Sequence, residues 1–268
     1  MPAPADVAGA LARVVGALPG GEARSGQLDM ARAVAESIDD GRHLLVQAGT
    51  GTGKSLGYLV PAILSGRRVV VATATKALQE QLVDKDIPLL QQSLARPFRA
   101  ALLKGRSNYL CLAALDGATG DAAQGTLVED EQRRSGLGGE ELAELSAWAR
   151  TTATGDRSDL PGAMPDRAWS SVSVGVGECP GAHRCPSGER CFAERAKWAA
   201  AEADVVVVNT HLYGAHLRSG GFVLPDHEVV VIDEAHAFED VAADSLGAAV
   251  GPVRLEHLAR ACRGLFTA

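Results

Sequence analysis

The segment AGTGTGKS, residues 48–55, has the residue types of a loop that binds phosphate. It follows the apolar run HLLVQA and leads into the helical pattern SLGYLVPAILSG. Glycines let the backbone N–H groups of such a loop point inward, and the N-terminus of the next helix favours an anion. Lys54 would then reach the β- and γ-phosphates of a nucleotide, and Ser55 would bind Mg²⁺. The loop residues predicted to bind the nucleotide are Ala48, Gly49, Thr50, Gly51, Thr52, Gly53, Lys54 and Ser55.

A second segment, VVVIDEAH at 229–236, places two acids directly after an apolar run. An acid at the end of a buried strand can hold the same Mg²⁺ from the side opposite the loop. Asp233 is the candidate for this role, Glu234 for orienting or deprotonating an attacking water, and His236 for coupling the nucleotide to other groups. With Lys54, these are the predicted catalytic residues. The alternatives are a glycine-rich loop without a ligand and two acids that only cap a helix.

Four of the five cysteines follow the pattern C-x67-C-x5-C-x5-C. They are Cys111, Cys179, Cys185 and Cys191. The x5 spacing is wide for a zinc knuckle, whereas the geometry of an iron–sulfur cluster tolerates varied spacing. The spacing therefore favours an iron–sulfur site, but a Cys/His zinc site that includes His183 and a cluster without metal both stay open. Cys262 lies outside the pattern and is interpreted as a small buried apolar residue.

The strands and helices that must position these residues are predicted from the sequence pattern. Apolar, valine-rich runs alternate with helical patterns, and this alternation is typical of an α/β fold with a parallel sheet. The predicted strands are 43–48, 68–73, 99–103, 204–209 and 228–233. The predicted helices are 5–18, 27–40, 55–66, the segment after Thr75, and 140–150. About a hundred residues between 103 and 204 lack a strand-like run, which is too long for an ordinary loop. We therefore predict an inserted subdomain that carries the four cysteines.

The composition limits the class of protein but does not exclude a nucleic-acid partner. The chain of 268 residues is 46% hydrophobic and carries a net charge of −7. Residues 116–167 hold eleven Asp/Glu against five Arg, so this stretch accounts for most of the negative charge. No apolar run approaches the roughly 20 residues of a membrane span, and no signal peptide is recognisable at the start. We expect a soluble cytoplasmic protein without a membrane partner.

With the loop, the DEAH segment and the cysteine-bearing insert between them, the sequence resembles the DinG/XPD-type iron–sulfur DNA helicases of superfamily two. The resemblance implies a RecA-like P-loop NTPase domain with a parallel sheet, interrupted by a small, mostly helical iron–sulfur cluster domain. It implies the following division: 1–103, first part of the motor domain; 104–198, inserted cluster domain; 199–245, second part of the motor domain; and 246–268, the possible start of an arch domain.

The same resemblance implies an ATP-dependent 5′→3′ DNA helicase whose cofactors are ATP, Mg²⁺ and a [4Fe–4S] cluster. The four cysteines Cys111, Cys179, Cys185 and Cys191 would hold the cluster. Arg24 and Gln27, in ARSGQLDMARAV, match the motif on the adenine side of the nucleotide. The expected partners are single-stranded DNA and a forked or 5′-tailed duplex. A nucleoid-associated, cytoplasmic location and a link to DNA repair and replication also follow only from the resemblance.

The predicted contacts to DNA come from two parts of the chain. In ATATKALQEQL, Thr73, Thr75 and Gln79 match a motif that contacts the DNA backbone, although the threonines are also interpretable as ordinary strand-end hydroxyls. Around the cysteines, basic residues would follow the phosphates, and Tyr109 or Phe192 would stack on bases or pack against the cluster. The basic candidates, each also interpretable as part of a solvated face, are Lys104, Arg106, Arg184, Arg190, Arg195 and Lys197.

Members of this family are much longer and carry a second RecA-like domain after the arch. We therefore expect this chain to be an N-terminal half, which needs the second domain in cis or from a partner. Alone it would be inactive or weakly active, because the arginine that stabilises the charge of the transition state would be missing. The alternative is a nucleic-acid-binding or redox-sensing iron–sulfur or zinc module with a vestigial ATPase site.

Overall fold

A computed structural model gives the fold of the chain and describes residues 4–49, 51–124 and 137–246. Its centre is a sheet of four parallel strands in the order β2-β3-β1-β4. The strands are β1 (Val69–Thr73), β2 (Ala100–Leu102), β3 (Val205–Asn209) and β4 (Val229–Ile232). Ala72 of β1 pairs with Val208 on one side and with Ile232 on the other. This register brings the carboxyl ends of β1, β3 and β4 to the same edge of the sheet.

The two faces of the sheet carry separate apolar layers, because successive side chains of a strand point to opposite faces. Val69 and Val71 face a layer formed with the N-terminal helices, while Val70 and Ala72 face the opposite layer, which includes Tyr213. The helices of this region are α1 (Pro4–Gly16), α2 (Ser25–Asp40), α3 (Lys54–Ser65), α4 (Lys76–Gln81) and α5 (Ile87–Ser93). A π-helical turn, Leu82–Asp86, joins α4 to α5.

The segment between β2 and β3 is mainly helical and contains an apolar cluster of its own. Its helices are α6 (Leu112–Gln124), α7 (Gly139–Thr151), α8 (Asp166–Ser171) and α9 (Phe192–Glu202). The cluster includes Leu145, Trp169 and Phe192, and the Trp169 indole N–H donates to the carbonyl of Ser107 at 2.7 Å. Two further helices follow β3 and β4, namely α10 (Thr210–Arg218) and α11 (Phe238–Leu246).

Four of the five predicted strands are confirmed with small shifts of their ends, and the prediction of a strand at 43–48 is wrong for the described residues. This segment is not part of the sheet, and Leu45 is 89% exposed. A strand forms only where a neighbouring strand completes the ladder of hydrogen bonds. β4 is an edge strand of the described sheet, but residues 43–48 do not pair with it. An apolar run is therefore not sufficient evidence of a strand.

The predicted helices are confirmed in the described parts, with α7 matching 140–150 closely. The predicted domain division stays a prediction, and its limit at 198 falls inside α9, whose Ala200 contributes to the core beneath the sheet. Residues 247–268, where an arch domain is expected to begin, lie outside the described residues together with Cys262. None of the described helices combines the length and the hydropathy that a membrane span requires.

Candidate nucleotide site and cysteine-bearing insert

The predicted phosphate loop leads directly into α3. Gly51 and Gly53 adopt the left-handed backbone conformation, with φ of 75° and 79°, which glycine tolerates without strain. Gly53 is the residue that precedes α3, and Lys54 is the first residue of the helix. Thr52 donates a hydrogen bond from its hydroxyl to the carbonyl of Gly49 at 2.8 Å. Thr50 lies outside the described residues.

Arg24 and Gln27, which were predicted to contact the nucleotide, hold the backbone of this loop. The Gln27 side-chain amide donates to the carbonyl of Gly53 at 2.8 Å, and the Arg24 guanidinium donates to the carbonyl of Gly51. A Cβ atom at Gly53 would collide with the Gln27 amide, so a larger residue would displace this contact. Both side chains thus reach the loop from the start of α2, and their contact with a nucleotide stays a prediction.

Lys54 meets the two acids of the DEAH segment. Its ammonium lies 2.5 Å from Glu234 Oε1 and 3.9 Å from Asp233 Oδ1. The hydrogen bond with Glu234 raises the pKa of Lys54 and lowers the pKa of Glu234. Asp233 is buried and extends β4, since its backbone N–H donates to the carbonyl of Ala72 at 2.9 Å. Residues that are far apart in the sequence are therefore brought together at the carboxyl edge of the sheet.

Glu234 has an unusual backbone, with φ of 55°, and it is the only described non-glycine residue with positive φ. A bulky side chain in this region carries strain that the surrounding structure must support. Its N–H donates to Asp233 Oδ1 at 3.0 Å, which helps to hold the turn. His236 is 80% exposed, and its Nδ1 lies 3.5 Å from Glu234 Oε2. The strained turn thus directs Glu234 towards both Lys54 and His236.

Sequence reasoning missed Tyr58, which also belongs to this site. The Tyr58 hydroxyl donates to Asp233 Oδ2 at 3.2 Å, and burial together with the Asp233 charge raises the pKa of Tyr58 well above its ordinary range. The spacing of Tyr58, one helical turn after Lys54, was the available signal.

The residues predicted to contact the DNA backbone lie after β1. Thr73 is fully buried, and Thr75 precedes α4, where its hydroxyl accepts from the N–H of Leu78 at 3.2 Å. Gln79 is 3% exposed, and its amide nitrogen has no hydrogen-bond partner among the described residues. It lines a cavity of about 750 Å³ between the sheet and the insert. The structure thus gives Thr75 a capping role and buries the Gln79 side chain.

Two of the predicted phosphate contacts lie in largely buried ion pairs. Lys104 is 2.5 Å from Asp156, and the two side chains are 12% and 8% exposed. Arg106 pairs with Glu194 and also lies 3.9 Å from the sulfur of Cys191. Both cations therefore have a carboxylate partner inside the insert, where they connect distant segments.

The remaining basic candidates are exposed. Arg195 donates to the carbonyl of Ala153 at 2.6 Å, and its guanidinium lies 5.4 Å from the centre of the Phe192 ring. Phe192 and Tyr109, the predicted stacking residues, are both buried, and burial raises the pKa of Tyr109 to about 12. The exposed cations are Arg184, Arg190, Arg195 and Lys197.

The four cysteines of the pattern are free thiols, and all are partly buried. Cys111 directly precedes α6, and Cys191 directly precedes α9. Burial raises the pKa of Cys111, and the nearby Cys185 and Cys191 raise it further. Arg106 in turn lies close enough to Cys179 and Cys191 to interact with their charges. In the described part of the chain, however, no three His, Cys, Asp or Glu side chains are close enough to form a ready metal site.

Comparisons with known proteins agree with the motifs. Residues 29–117 match the family model described as DEAD/DEAH box helicase. Over 246 residues the chain is 49% identical to the ATP-dependent helicase DinG of Mycobacterium tuberculosis, a match that covers 86% of this chain and 36% of that protein. It is 37% identical over 252 residues to the ATP-dependent DNA helicase YoaA of Escherichia coli, with 91% and 38% covered.

A more distant relative carries a different name. The chain is 33% identical over 243 residues to the 3′-5′ exonuclease DinG of Bacillus subtilis, a match that covers 86% of this chain and 24% of that protein. The chain thus spans between about a quarter and two fifths of the length of these curated relatives.

Proposed function

Because the chain belongs to the DinG-like DEAD/DEAH-box helicases, in which it corresponds to an N-terminal portion, we propose that it forms the ATP-binding part of an ATP-dependent 5′→3′ DNA helicase. One observation carries the proposal. The ammonium of Lys54, at the end of a glycine-rich loop, lies beside the Asp233 and Glu234 carboxylates at the carboxyl edge of a parallel sheet. Open α/β sheets bind their ligands at this edge.

The oxygen donors at this edge suit Mg²⁺. Ser55 offers a hydroxyl and Asp233 a buried carboxylate, and oxygen ligands of this kind are those that Mg²⁺ prefers. When bound, the ion would neutralise charge that develops on the phosphates during transfer. Lys54 would exchange its Glu234 partner for the β- and γ-phosphates. The backbone N–H groups of the loop would surround the phosphates, and Arg24 and Gln27 would lie on the adenine side.

Glu234 is the residue best placed to act on the attacking water. In the present structure, Lys54 occupies its carboxylate and lowers its pKa. Once Lys54 moves to the phosphates, the carboxylate is free to orient a water and accept its proton. His236, which lies 3.5 Å from Glu234, would then couple this state to groups outside the site.

For DNA, we propose contacts along one surface that runs from the end of β1 to the cysteine segment. The support is the exposure of four cations near the cysteines. Contacts by Thr73, Thr75 and Gln79 stay predictions, since Thr73 and Gln79 are buried. Phosphate contacts by Lys104 and Arg106 also stay predictions, because Asp156 and Glu194 hold both cations. The expected partners are single-stranded DNA, a forked or 5′-tailed duplex and a second RecA-like domain. The expected setting is DNA repair or replication at the nucleoid.

We further propose that Cys111, Cys179, Cys185 and Cys191 hold a [4Fe–4S] cluster. The donor set fits, because four partly buried thiols are the ligands that such clusters use. When bound, the cluster would cross-link segments of the insert and contribute folding free energy. The thiols would need to move closer together than they lie in the present structure.

The nucleotide-binding proposal is tested with Lys54→Ala. We expect the wild-type chain to bind a fluorescent ATP analogue in the presence of Mg²⁺, and the variant to lose at least about tenfold in affinity, since it lacks the phosphate-binding ammonium. Lys85→Ala, which removes an exposed lysine from the turn that follows α4, is the matched control. Equal binding by the wild-type chain and Lys54→Ala would overturn the assignment.

The helicase activity is tested in a form of the protein extended through a second RecA-like domain. We expect single-stranded DNA to stimulate its ATP hydrolysis, and Lys54→Ala to abolish the stimulated rate. A variant that hydrolyses ATP as fast as its parent would rule out a motor that uses this site.

The cluster is tested by anaerobic purification followed by analysis of metal and acid-labile sulfide. We expect about four iron atoms and about four sulfides per chain. His183→Ala distinguishes the cluster from a Cys/His zinc site. It should leave the iron content of a cluster unchanged but weaken the binding of zinc. One tightly bound zinc per chain without iron would contradict the proposal.

A further inference from the structure

A side chain outside the sequence motifs contacts a predicted magnesium ligand. We propose that Tyr58 is a positioning residue, which holds Asp233 in the orientation that magnesium binding requires. The inference rests on the proposed function, because it assigns the residue to the same nucleotide site. It goes beyond that function by adding a residue to which no motif gives a role.

Tyr58 fixes the carboxylate of Asp233. The tyrosine is 3% exposed, and its hydroxyl donates to Asp233 Oδ2 at 3.2 Å. The other oxygen, Oδ1, accepts from the N–H of Glu234 at 3.0 Å and lies 3.9 Å from the Lys54 ammonium. Each oxygen of the carboxylate thus has its own partner, so the group cannot rotate without losing a contact. Oδ1 is the oxygen that faces the loop.

The hydroxyl of Tyr58 has a role that its ring cannot supply. The ring fills space in the apolar core beside α3, which phenylalanine would fill equally well. The hydroxyl, in contrast, is the donor for a buried carboxylate oxygen, and a buried acceptor without a donor is costly. The function of the hydroxyl can therefore be separated from that of the ring by a single substitution.

The experiment measures how much Mg²⁺ the chain needs for half-maximal binding of a fluorescent ATP analogue. We expect Tyr58→Phe to raise this Mg²⁺ concentration about tenfold, in line with the loss of one hydrogen bond to a charged group. Affinity for the analogue in EDTA should not change, since the loop itself is intact. Tyr213→Phe, which removes the hydroxyl of a second buried tyrosine in α10, should leave both values unchanged. A thermal melt of each variant checks that the chain is folded.

The outcomes separate this inference from the proposed function. If the wild-type chain binds the analogue with Mg²⁺ and Lys54→Ala does not, the nucleotide site stands. A Tyr58→Phe variant that melts like the wild type and has the same Mg²⁺ requirement would then overturn the inference alone. If the wild-type chain shows no Mg²⁺-dependent binding, both fall. An equal loss in the presence and absence of Mg²⁺ would indicate a purely structural role and would also overturn the inference.

Discussion

The sheet region and the insert hold their candidate sites in different ways. Lys54 begins α3, whose Leu59 and Val60 are fully buried, and Asp233 follows β4, which pairs with the fully buried β1, so packing and strand pairing fix the backbone that carries them. The cysteines lie instead in short turns and at helix starts, and in the described part of the chain they do not form a ready metal site. The comparison indicates that packing builds the nucleotide site in advance, whereas the cysteine site depends on what the thiols bind.

The two regions also differ in their buried polar groups. The insert buries the ion pairs Lys104–Asp156 and Arg106–Glu194, which tie its beginning to segments much later in the chain. The sheet region around β4 instead buries a histidine, His216, whose Nδ1 accepts from a backbone N–H. In a small domain with a limited apolar core, such pairs fix how distant segments are oriented relative to each other. The domain is then sensitive to the loss of either partner.

The largest predicted effect is that loss of the cluster destabilises the insert and leaves the sheet region stable. Cys185→Ser, or removal of iron by a chelator, should strongly reduce the protection of insert amides in α6 and α7 against hydrogen exchange. Metal binding in small domains supplies roughly 10 kcal/mol or more of folding free energy, so its loss should exceed the effect of any single contact. Amides of β1 and β3, and binding of the ATP analogue, should change little. Loss of protection in both regions together would show that they fold as one unit.

The second prediction concerns the buried ion pair of the insert. Asp156→Ala should destabilise the insert by about 3–5 kcal/mol, because it leaves the largely buried Lys104 ammonium without a counter-charge and with only the Ser158 hydroxyl as an acceptor. Glu202→Ala is the matched control, since it breaks the pair Arg99–Glu202, whose side chains are both 71% exposed and contribute little. Urea unfolding monitored by Trp fluorescence gives the change in the free energy of unfolding for both variants. Similar small losses in the two variants would mean that the pair is solvated in solution.

The sequence was sufficient to predict most of the sheet and the central residues of the nucleotide site, Lys54, Asp233 and Glu234. Apolar valine runs followed directly by polar residues place Asp233 at the end of a strand, and a glycine-rich loop before a helix places Lys54. In parallel sheets such strand ends meet at one edge, so proximity of Lys54 to the acids follows from topology alone. The contact between Lys54 and Glu234 agrees with this expectation.

What the sequence could not predict depends on partners that are distant in the chain. The run at 43–48 is as apolar as β1, but a strand also needs a neighbour, and no local pattern supplies one. Lys104 and Arg106 carry the charges of a phosphate-binding surface, yet Asp156 and Glu194 occupy them. The hydrogen bond between Tyr58 and Asp233 joins residues 175 positions apart, and no local pattern predicts it.

The smallest predicted effect concerns the buried histidine of the sheet region. His216 is 8% exposed, its Nδ1 accepts from the N–H of Leu224 at 3.1 Å, and the ring of His227 lies 5.2 Å away. Burial, and then the charge of His227, lower the pKa of His216 below its ordinary value of 6.5, although Asp226 opposes them. Above that value both the folded and unfolded states keep the imidazole neutral.

As the pH falls below the ordinary pKa, the unfolded chain takes up a proton at His216 before the folded chain does, so stability declines with acidification. Urea unfolding at about pH 7.5 and about pH 5.5 should show this decline, and His216→Asn should reduce it, because the amide oxygen accepts the same hydrogen bond without titrating. His43→Asn removes an exposed histidine and should leave the decline unchanged. If all three proteins lose stability equally, the acid sensitivity lies elsewhere, and the buried imidazole does not distinguish the sheet region from the insert.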